Sequence, residues 1–284
     1  MASYPYTLLE GNLLLGQGRY VGLGNFEAVL SDEYFWRALR NTFVYAVVLV
    51  PVQLVLALLL ALTLNNPKLR FSGFYRALFF SPVVTSTAII GIIMSLLFIY
   101  LSPAVKPGLV ALGTVGGDEN LNLLGDPRFA LYAVIAVGIW KSLGINMIYF
   151  LAALQAIPKE LYEAARIDGA NAAQELRFVT LPGLRETGLI IVFLAFLGSL
   201  QVFELVQTMI GVGVNATFAD AEVISTYIYR TAFTGNASQG LASAAALTMG
   251  LITLLLTALQ LLVFRRAGIR RGGVAQIEHQ RAEP

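Results

Sequence analysis

Pro158–Pro182, PKELYEAARIDGANAAQELRFVTLP, is a charged, helix-forming insert between segments apolar enough to cross a bilayer. Glu160, Glu163, Arg166, Asp168, Glu175, Arg177 and the nearby Arg185 are costly in hydrocarbon, so this part of the chain must project into water on one membrane face. Pro158 opens a helix with Glu160 and Glu163 in its first turns, Gly169 ends it, and a second helical run follows to Pro182. The stretch predicts a helix, a turn and another helix, offered to something in the water. Asp168 is expected to cap the second helix or to bond locally, and Arg166 to pair with Asp168 or with a partner. At Leu181 and Pro182 the chain must bend into the next span, because proline lacks the donor that would continue a regular helix.

The composition agrees with a membrane protein. Of 284 residues, 57% are hydrophobic and 13% charged, whereas roughly a quarter of residues are charged in soluble domains. There is no cysteine, and the one histidine, His279, lies in a polar tail, which speaks against disulfides, metal centres and histidine chemistry in the membrane. A net charge of +2 is no nucleic-acid surface, and no G-x4-G-K-(S/T) phosphate loop occurs.

A spanning helix needs about 20 apolar residues. Runs of that order lie between Arg40 and Lys68 and between Arg76 and Lys106. Further spans are expected at about Phe129 to Ala156, interrupted by Lys141, at Thr187 to Val206, with Glu204 near its end, and at Leu241 to Phe264. Loops are expected around Ser102 to Arg128 and from Gln207 to Gly240, the second with a surface helix over Ala221 to Phe233 outside the core. Pro51 and Pro82 fall within spans and are expected to kink them. The fold class is all-α, a polytopic transmembrane helical bundle of five visible spans. Residues 1–40 are expected to be an extracytoplasmic segment, 41–264 the membrane domain with its water-facing loop at 158–185, and 265–284 a cytoplasmic tail.

Positive charge sets the orientation. Arg265, Arg266, Arg270, Arg271 and Arg281, the cations of the mid-chain insert, and Lys68, Arg70 and Arg76 fall on one side; the other holds Lys106, Arg128 and Arg230 beside Asp118, Glu119, Asp126, Asp220 and Glu222. The insert is therefore expected in the cytoplasm. An odd number of spans leaves residues 1–40 outside with nothing to carry them there, so a preceding first span is expected to be missing, with a natural five-span variant as the alternative.

Glu163, Ala164, Ala165, Gly169, Val179, Leu181 and Pro182 follow the spacing E-A-A-x3-G-x9-(I/V)-x-L-P. It resembles the coupling loop of importer permeases of the ATP-binding-cassette class. The longer EAARIDGA, with Asp168 and Ala170, resembles the branch related to the maltose and glycerol-phosphate permeases. FFSPVVTS at Phe79 to Ser86, WKSLG at Trp140 to Gly144 and QVFELV at Gln201 to Val206 stand in the order that family shows, while Leu176 and Glu186 depart from it. The resemblance implies that Glu163 docks into a cleft of an ATPase, the bland alternative being a solvated carboxylate. Ala164, Ala165 and Ala170 would allow close approach, and Gly169 would supply the turn.

Within the spans, Lys141 and Glu204 stand out, because a charge at bilayer depth costs about 2.5–3.5 kcal/mol and faces a partner or water. They are expected to pair, to snorkel, or to touch substrate. Sugars are recognised by neutral hydrogen-bonding groups and aromatic faces. Ser142 and Asn146 share one face of the third span, and Ser199 and Phe203, beside Gln201, one face of the fourth. The resemblance places substrate contacts on these two spans; the positions it aligns with contacts include Ile145, Ala195, Gly198 and Val202. The alternative is interhelical glue, with Gly138, Gly144 and Gly198 as close-packing points.

The resemblance thus implies a sugar permease subunit of a bacterial or archaeal plasma membrane. It would work with a second permease, an ATP-binding-cassette ATPase dimer and an extracytoplasmic solute-binding protein, with no cofactor or enzymatic activity of its own. The alternatives are another solute such as glycerol phosphate, or an ion-coupled secondary transporter, which would want intramembrane acids and inverted repeats.

Overall fold

A computed structural model describes residues 9–10, 19–66, 69–211, 221–234 and 238–266. The tail arginines Arg270, Arg271 and Arg281, His279, Lys68 and Asp220 lie outside the described residues. Leu9–Glu10 (β1) pairs antiparallel with Arg19–Tyr20 (β2), with Leu9 opposite Tyr20. Everything else of regular structure among the described residues is helical.

Helix α1 (Gly24–Ser31) leads into α2 (Glu33–Leu64). The Asp32 side chain caps α2 by accepting from the Tyr34 amide at 2.9 Å, and Glu33 bonds Arg37 one turn on at 2.8 Å. Pro51 does not interrupt α2, whose start at Glu33 lies before the boundary expected at Arg40.

The second expected span is two helices, α3 (Ser72–Val84) and α4 (Thr87–Ala111), separated by extended backbone at Thr85 and Ser86. The Thr85 hydroxyl donates to the Ser81 carbonyl at 3.1 Å and the Ser81 hydroxyl to that of Leu78 at 2.9 Å. Such back-bonding competes with the ladder that Pro82 already weakens. Helix α4 then runs through Pro103 and Pro107 to Ala111, past the point where a loop is expected. Ser102, inside it, donates to the Phe98 carbonyl (2.7 Å) and accepts from the Leu123 amide (3.0 Å), fastening the following loop.

In that loop Arg128 gathers three acceptors: Glu119 and Asp126, each at 2.7 Å, and the Thr114 carbonyl at 3.0 Å. Its guanidinium holds both carboxyls below their ordinary range.

Helix α5 (Ala130–Gln155) packs on α2 with the two running parallel, Tyr45 and Leu49 lying against Gly138 and Gln53 against Ser142. Small residues permit this. A Cβ on Gly138 would fall 2.7 Å from Leu49 Cδ1, and one on Gly144 only 2.8 Å from the Phe80 Cα of α3. Gly198, expected to pack likewise, has nothing within 4 Å.

Beyond α5 come α6 (Lys159–Ile167) and α7 (Ala172–Gly183); α7 meets α8 (Arg185–Leu200) at a bend of 69°. The fourth span, expected to continue to Val206, ends at Leu200, and a separate helix α9 (Glu204–Ile210) starts after Gln201–Phe203. Glu204 thereby opens a helix, where a carboxylate suits the dipole.

The helix α10 (Ile224–Phe233) does not lie outside the core but packs into it by one face. Ile224, Thr226, Tyr227 and Ala232 are buried. Its start is bonded to α2: Asn41 Nδ2 donates to the Glu222 carbonyl (3.0 Å), the Ile224 amide to Thr42 Oγ1 (2.9 Å), and the Tyr227 hydroxyl to Asp32 (2.6 Å). Glu222, 2% exposed, takes two bonds from Arg230 at 2.8 and 2.9 Å, which makes its burial affordable. Helix α11 (Gln239–Arg266) closes the chain. Only 6% of its apolar stretch is buried, as expected of a helix facing lipid or a neighbouring subunit.

By length and composition four helices can cross a membrane, and up to five if the bent pair α7–α8 counts as one. The core falls into two clusters, one between α2, α5 and α9 and one where Phe35, Leu200, Tyr227 and Ala245 meet.

Gly144→Leu is expected to destabilise the purified protein by about 1–3 kcal/mol, because the clash is with backbone, while Gly198→Ala leaves the thermal transition in place; differential scanning on both variants checks this. In the loop at 114–128 the depressed carboxyls contribute order above their unfolded pKa and lose it as pH falls through the lower, folded value. Hydrogen exchange at Gly116 to Asp126 should therefore stay slow through the ordinary carboxylate range of about 4 and accelerate below it, whereas Arg128→Met should be fast throughout.

Candidate functional site

Where α2, α5, α8 and the two helix breaks converge lies a cavity of about 560 Å³. Helix α2 contributes Tyr45, Leu49 and Gln53; the α3–α4 break contributes Val83 and Thr87; α5 contributes Gly138, Lys141, Ser142, Ile145, Asn146 and Tyr149. Leu194, Ala195, Gly198 and Ser199 of α8 and the run Gln201–Leu205 complete it. The structure thus brings Lys141, Ser142, Asn146, Ser199, Gln201, Phe203 and Glu204 to one cavity. Gly198 borders it as open wall, not as a packing point.

The two serine hydroxyls here have protein acceptors for their single protons, while the Asn146 amide keeps one N–H over. Ser142 Oγ lies within bonding distance of both Gln53 Oε1 and the Gly138 carbonyl (2.6 Å), which share its one proton; Ser199 Oγ donates to the Phe196 carbonyl (2.6 Å), and Asn146 Nδ2 gives one of its two protons to the Ser142 carbonyl (2.9 Å). The hydroxyl oxygens keep lone pairs, so the serines can accept from a ligand's hydroxyls. Lys141 is half-buried and Glu204 exposed to the cavity; among the described residues no ion pair joins them, contrary to one expectation. Both line the same cavity.

Gln53, Tyr45 and Thr87 escaped sequence reading. Gln53 carried a signal: an amide inside an otherwise apolar run, which hydrocarbon would not tolerate and which here is buried against Ser142.

The second feature is the hairpin α6–α7. Pro158 stands at the N-cap of α6, none of whose residues is buried. Gly169 adopts φ +81°, a left-handed turn that side chains resist. The Ala170 amide reaches back to the Ala165 carbonyl (2.9 Å) and the Gly169 amide to that of Arg166 (3.1 Å), closing α6 with a glycine C-terminal motif. Asp168 is the C-cap of α6; α7 is capped by Asn171, which accepts from the Gln174 amide (3.0 Å) while Gln174 accepts from the Asn171 amide (2.8 Å). Asn171 stands immediately before Ala172 and so has the right register, and the capping expected of Asp168 falls to it.

Two ties hold the arms together. Arg166 bonds Glu175 at 2.8 Å, and Tyr162 bonds Thr180 at 3.1 Å. Its partner across the turn raises the Arg166 guanidinium. Leu176–Thr180 is a π-helical turn. At the root, a Cβ on Gly183 would meet Ile157 Cδ1 at 2.8 Å, so the hairpin sits tightly on the end of α5. Glu163, Ala164, Asp168, Gly169, Leu181 and Pro182 are exposed, and Ala165 and Ala170 are half-covered. Beside them Leu161, Ile167 and Phe178 also face out, Ile167 at 86%, apolar surface that sequence reading passed over.

The family model described as binding-protein-dependent transport system inner membrane component matches residues 35–269. The lactose transport system permease protein LacF of Rhizobium radiobacter is 37% identical over 78% of this chain and 74% of its own. The probable ABC transporter permease protein YurN of Bacillus subtilis is 35% identical over 91% and 87%. Among solved structures, a chain of a bacterial alginate ABC transporter in complex with alginate pentasaccharide-bound periplasmic protein superposes with a TM-score of 0.72 and 28% identity, covering 87% of this chain and 84% of that one.

Gly169→Val forces a branched side chain into the left-handed region and is expected to loosen the hairpin by about 1–2 kcal/mol. Hydrogen exchange in Lys159–Ile167 should rise while that in α5 stays protected.

Proposed function

The chain belongs to the binding-protein-dependent transport system inner membrane component family, as a multi-pass permease of the plasma membrane, and we propose that its cargo is a saccharide and its motor a separate ATPase. The observation that carries this reading is the pairing of two features on the same helices. The cavity is walled by α5 and α8, and the exposed hairpin hangs between them. What docks on the hairpin can thereby act on the cavity.

The hairpin faces the cytoplasm, in keeping with its Lys159, Arg166, Arg177 and Arg185, while Asp118, Glu119 and Asp126 lie in the loop between α4 and α5 on the other side. Glu163, Ala164, Ala165, Asp168, Gly169, Ala170, Leu181 and Pro182, together with the exposed Ile167 and Phe178, form the surface that an ATP-binding-cassette subunit grips. ATP-driven closure then pulls the hairpin of this chain toward that of a second permease, and a solute-binding protein delivers cargo outside. Opening and closing are coupled to binding because each ligand prefers one state.

Saccharide fits the lumen chemically. Ser142, Ser199, Asn146 and Gln201 offer neutral polar groups, and Tyr45, Tyr149 and Phe203 aromatic ones. The relatives named for lactose and alginate transport support the same cargo class. A second reading, a saccharide or polyol bearing an anionic group, is favoured by Lys141 lining the cavity without a carboxylate partner among the described residues.

The test is reconstitution in proteoliposomes with the cognate ATPase, second permease and binding protein. Saccharide uptake should require ATP, and Glu163→Lys with Ile167→Asp should cut it at least tenfold by weakening ATPase co-purification while the two permeases still associate. Uptake by the chain alone, uptake driven by an ion gradient without ATP, or labelling of Glu163→Cys from the extracellular side would each overturn the reading.

A further inference from the structure

Phe203 lines the cavity, but its ring also begins a series that leaves it. The Tyr229 ring lies 5.3 Å from that of Phe203, centroid to centroid, and the Phe233 ring 5.4 Å from that of Tyr229, with planes tilted by 53° and 46°. Tyr229 is 40% exposed and Phe233 63%. The series therefore runs from the lumen to open surface, at the end of the bundle away from the hairpin.

The support beneath it is firm. Tyr229 and Phe233 are one turn apart on α10, whose opposite face is buried through Ile224 and Tyr227. Tyr227 is bonded to Asp32, and Arg230 to the buried Glu222. Two exposed rings on a helix bonded down this way are held at fixed spacing, and packing does not account for their exposure, since the buried side of the same helix already supplies its contacts.

The geometry points to an aromatic track: Tyr229 and Phe233 are outer subsites on which the sugar faces of an incoming saccharide stack before its leading unit passes Phe203 into the cavity. This rests on the saccharide reading above. Sugar rings carry C–H patches on their faces that match an aromatic ring, and their hydroxyls stay at the edges, free for water. Stacking fixes no single hydrogen bond, so a chain can shift from ring to ring without breaking a directional contact. Continuity with the lumen through Phe203 is what singles out cargo, above a lipid headgroup or a neighbouring subunit, as the occupant.

The track makes a prediction about chain length, because only a longer saccharide reaches Tyr229 and Phe233 while its leading unit is in the cavity. Tyr229→Ala and Phe233→Ala are compared with Tyr229→Phe and Phe233→Trp in the reconstituted full assembly, with lactose and linear glucose oligomers of three and five units as probes at subsaturating concentration. The alanine variants should lower uptake of the five-unit oligomer about three- to tenfold and that of lactose less than twofold. The aromatic variants should restore it, and all four should hold the second permease as the unaltered chain does. An equal loss at every length, no loss at all, or release of the second permease overturns the track alone. An unaltered assembly that imports none of the probes overturns the saccharide reading, and the track with it.

Discussion

Hydrocarbon offers no hydrogen-bond partners, so a chain crossing it can interrupt a helix only where its own polar groups or a wet space take over the freed backbone. Both interruptions in this bundle obey that constraint. At Thr85–Ser86 the Thr85 hydroxyl bonds the Ser81 carbonyl and the Ser86 carbonyl starts α4 by accepting from Ile90 at 3.1 Å. At Gln201–Phe203 the Gln201 amide turns back to the Gly198 carbonyl at 3.2 Å. Val83, Thr87 and Gln201–Leu205, flanking the two breaks, all border the cavity. The lumen and the breaks are therefore one feature: the space needs walls that turn, and the turns need a space that is not lipid.

The same constraint explains where small and charged residues stand. Parallel α2 and α5 approach closely at Gly138, which carries no side chain against Leu49, and α3 approaches α5 at Gly144, bare against the Phe80 backbone. Charges are kept to the ends, to the lumen, or to satisfied pairs: Arg128 with its two carboxylates, Arg230 with Glu222, Arg166 with Glu175. The Glu222–Arg230 pair closes the α10 segment on itself, and the bonds from Asn41 and Thr42 fix its start on α2 where hydrophobic contact alone would not select a register.

Long apolar runs made α2, α5 and α11 legible, and Pro158, Gly169 and the charges between them revealed the hairpin. The face shared by Ser142 and Asn146, and that of Ser199, Gln201 and Phe203, could be read from helical spacing, and the cavity holds all of them. What escaped was set by partners distant in sequence. The place of α10 depends on bonds from Asn41 and Thr42 across 181 and 182 residues, which no local pattern carries. The break at Thr85–Ser86 escaped because two residues barely change the average polarity of a run. The capping of α7 by Asn171 instead of Asp168 turned on the exact length of the left-handed turn, which is a matter of φ at Gly169 and not of composition.

If the hairpin is gripped as proposed, its coupling to the lumen would follow from how it is seated. Arg166–Glu175 and Tyr162–Thr180 make one body of α6 and α7, and Gly183 pressed on Ile157 seats that body on the end of α5. A displacement of the hairpin reaches α5 and α8 directly, because no flexible linker intervenes. It reaches α9 through the break at Gln201–Phe203 and through the core that α9 shares with α5, and α4 through the contact in which Gly91 lies against Thr208, where a Cβ would fall 2.7 Å from Thr208 Cβ. Packed interfaces of this kind change between discrete arrangements and do not deform smoothly. On the reading proposed above, a push on the hairpin would be converted into relative motion of helices at the cavity wall, where a lumen of about 560 Å³ responds to shifts of an ångström or two.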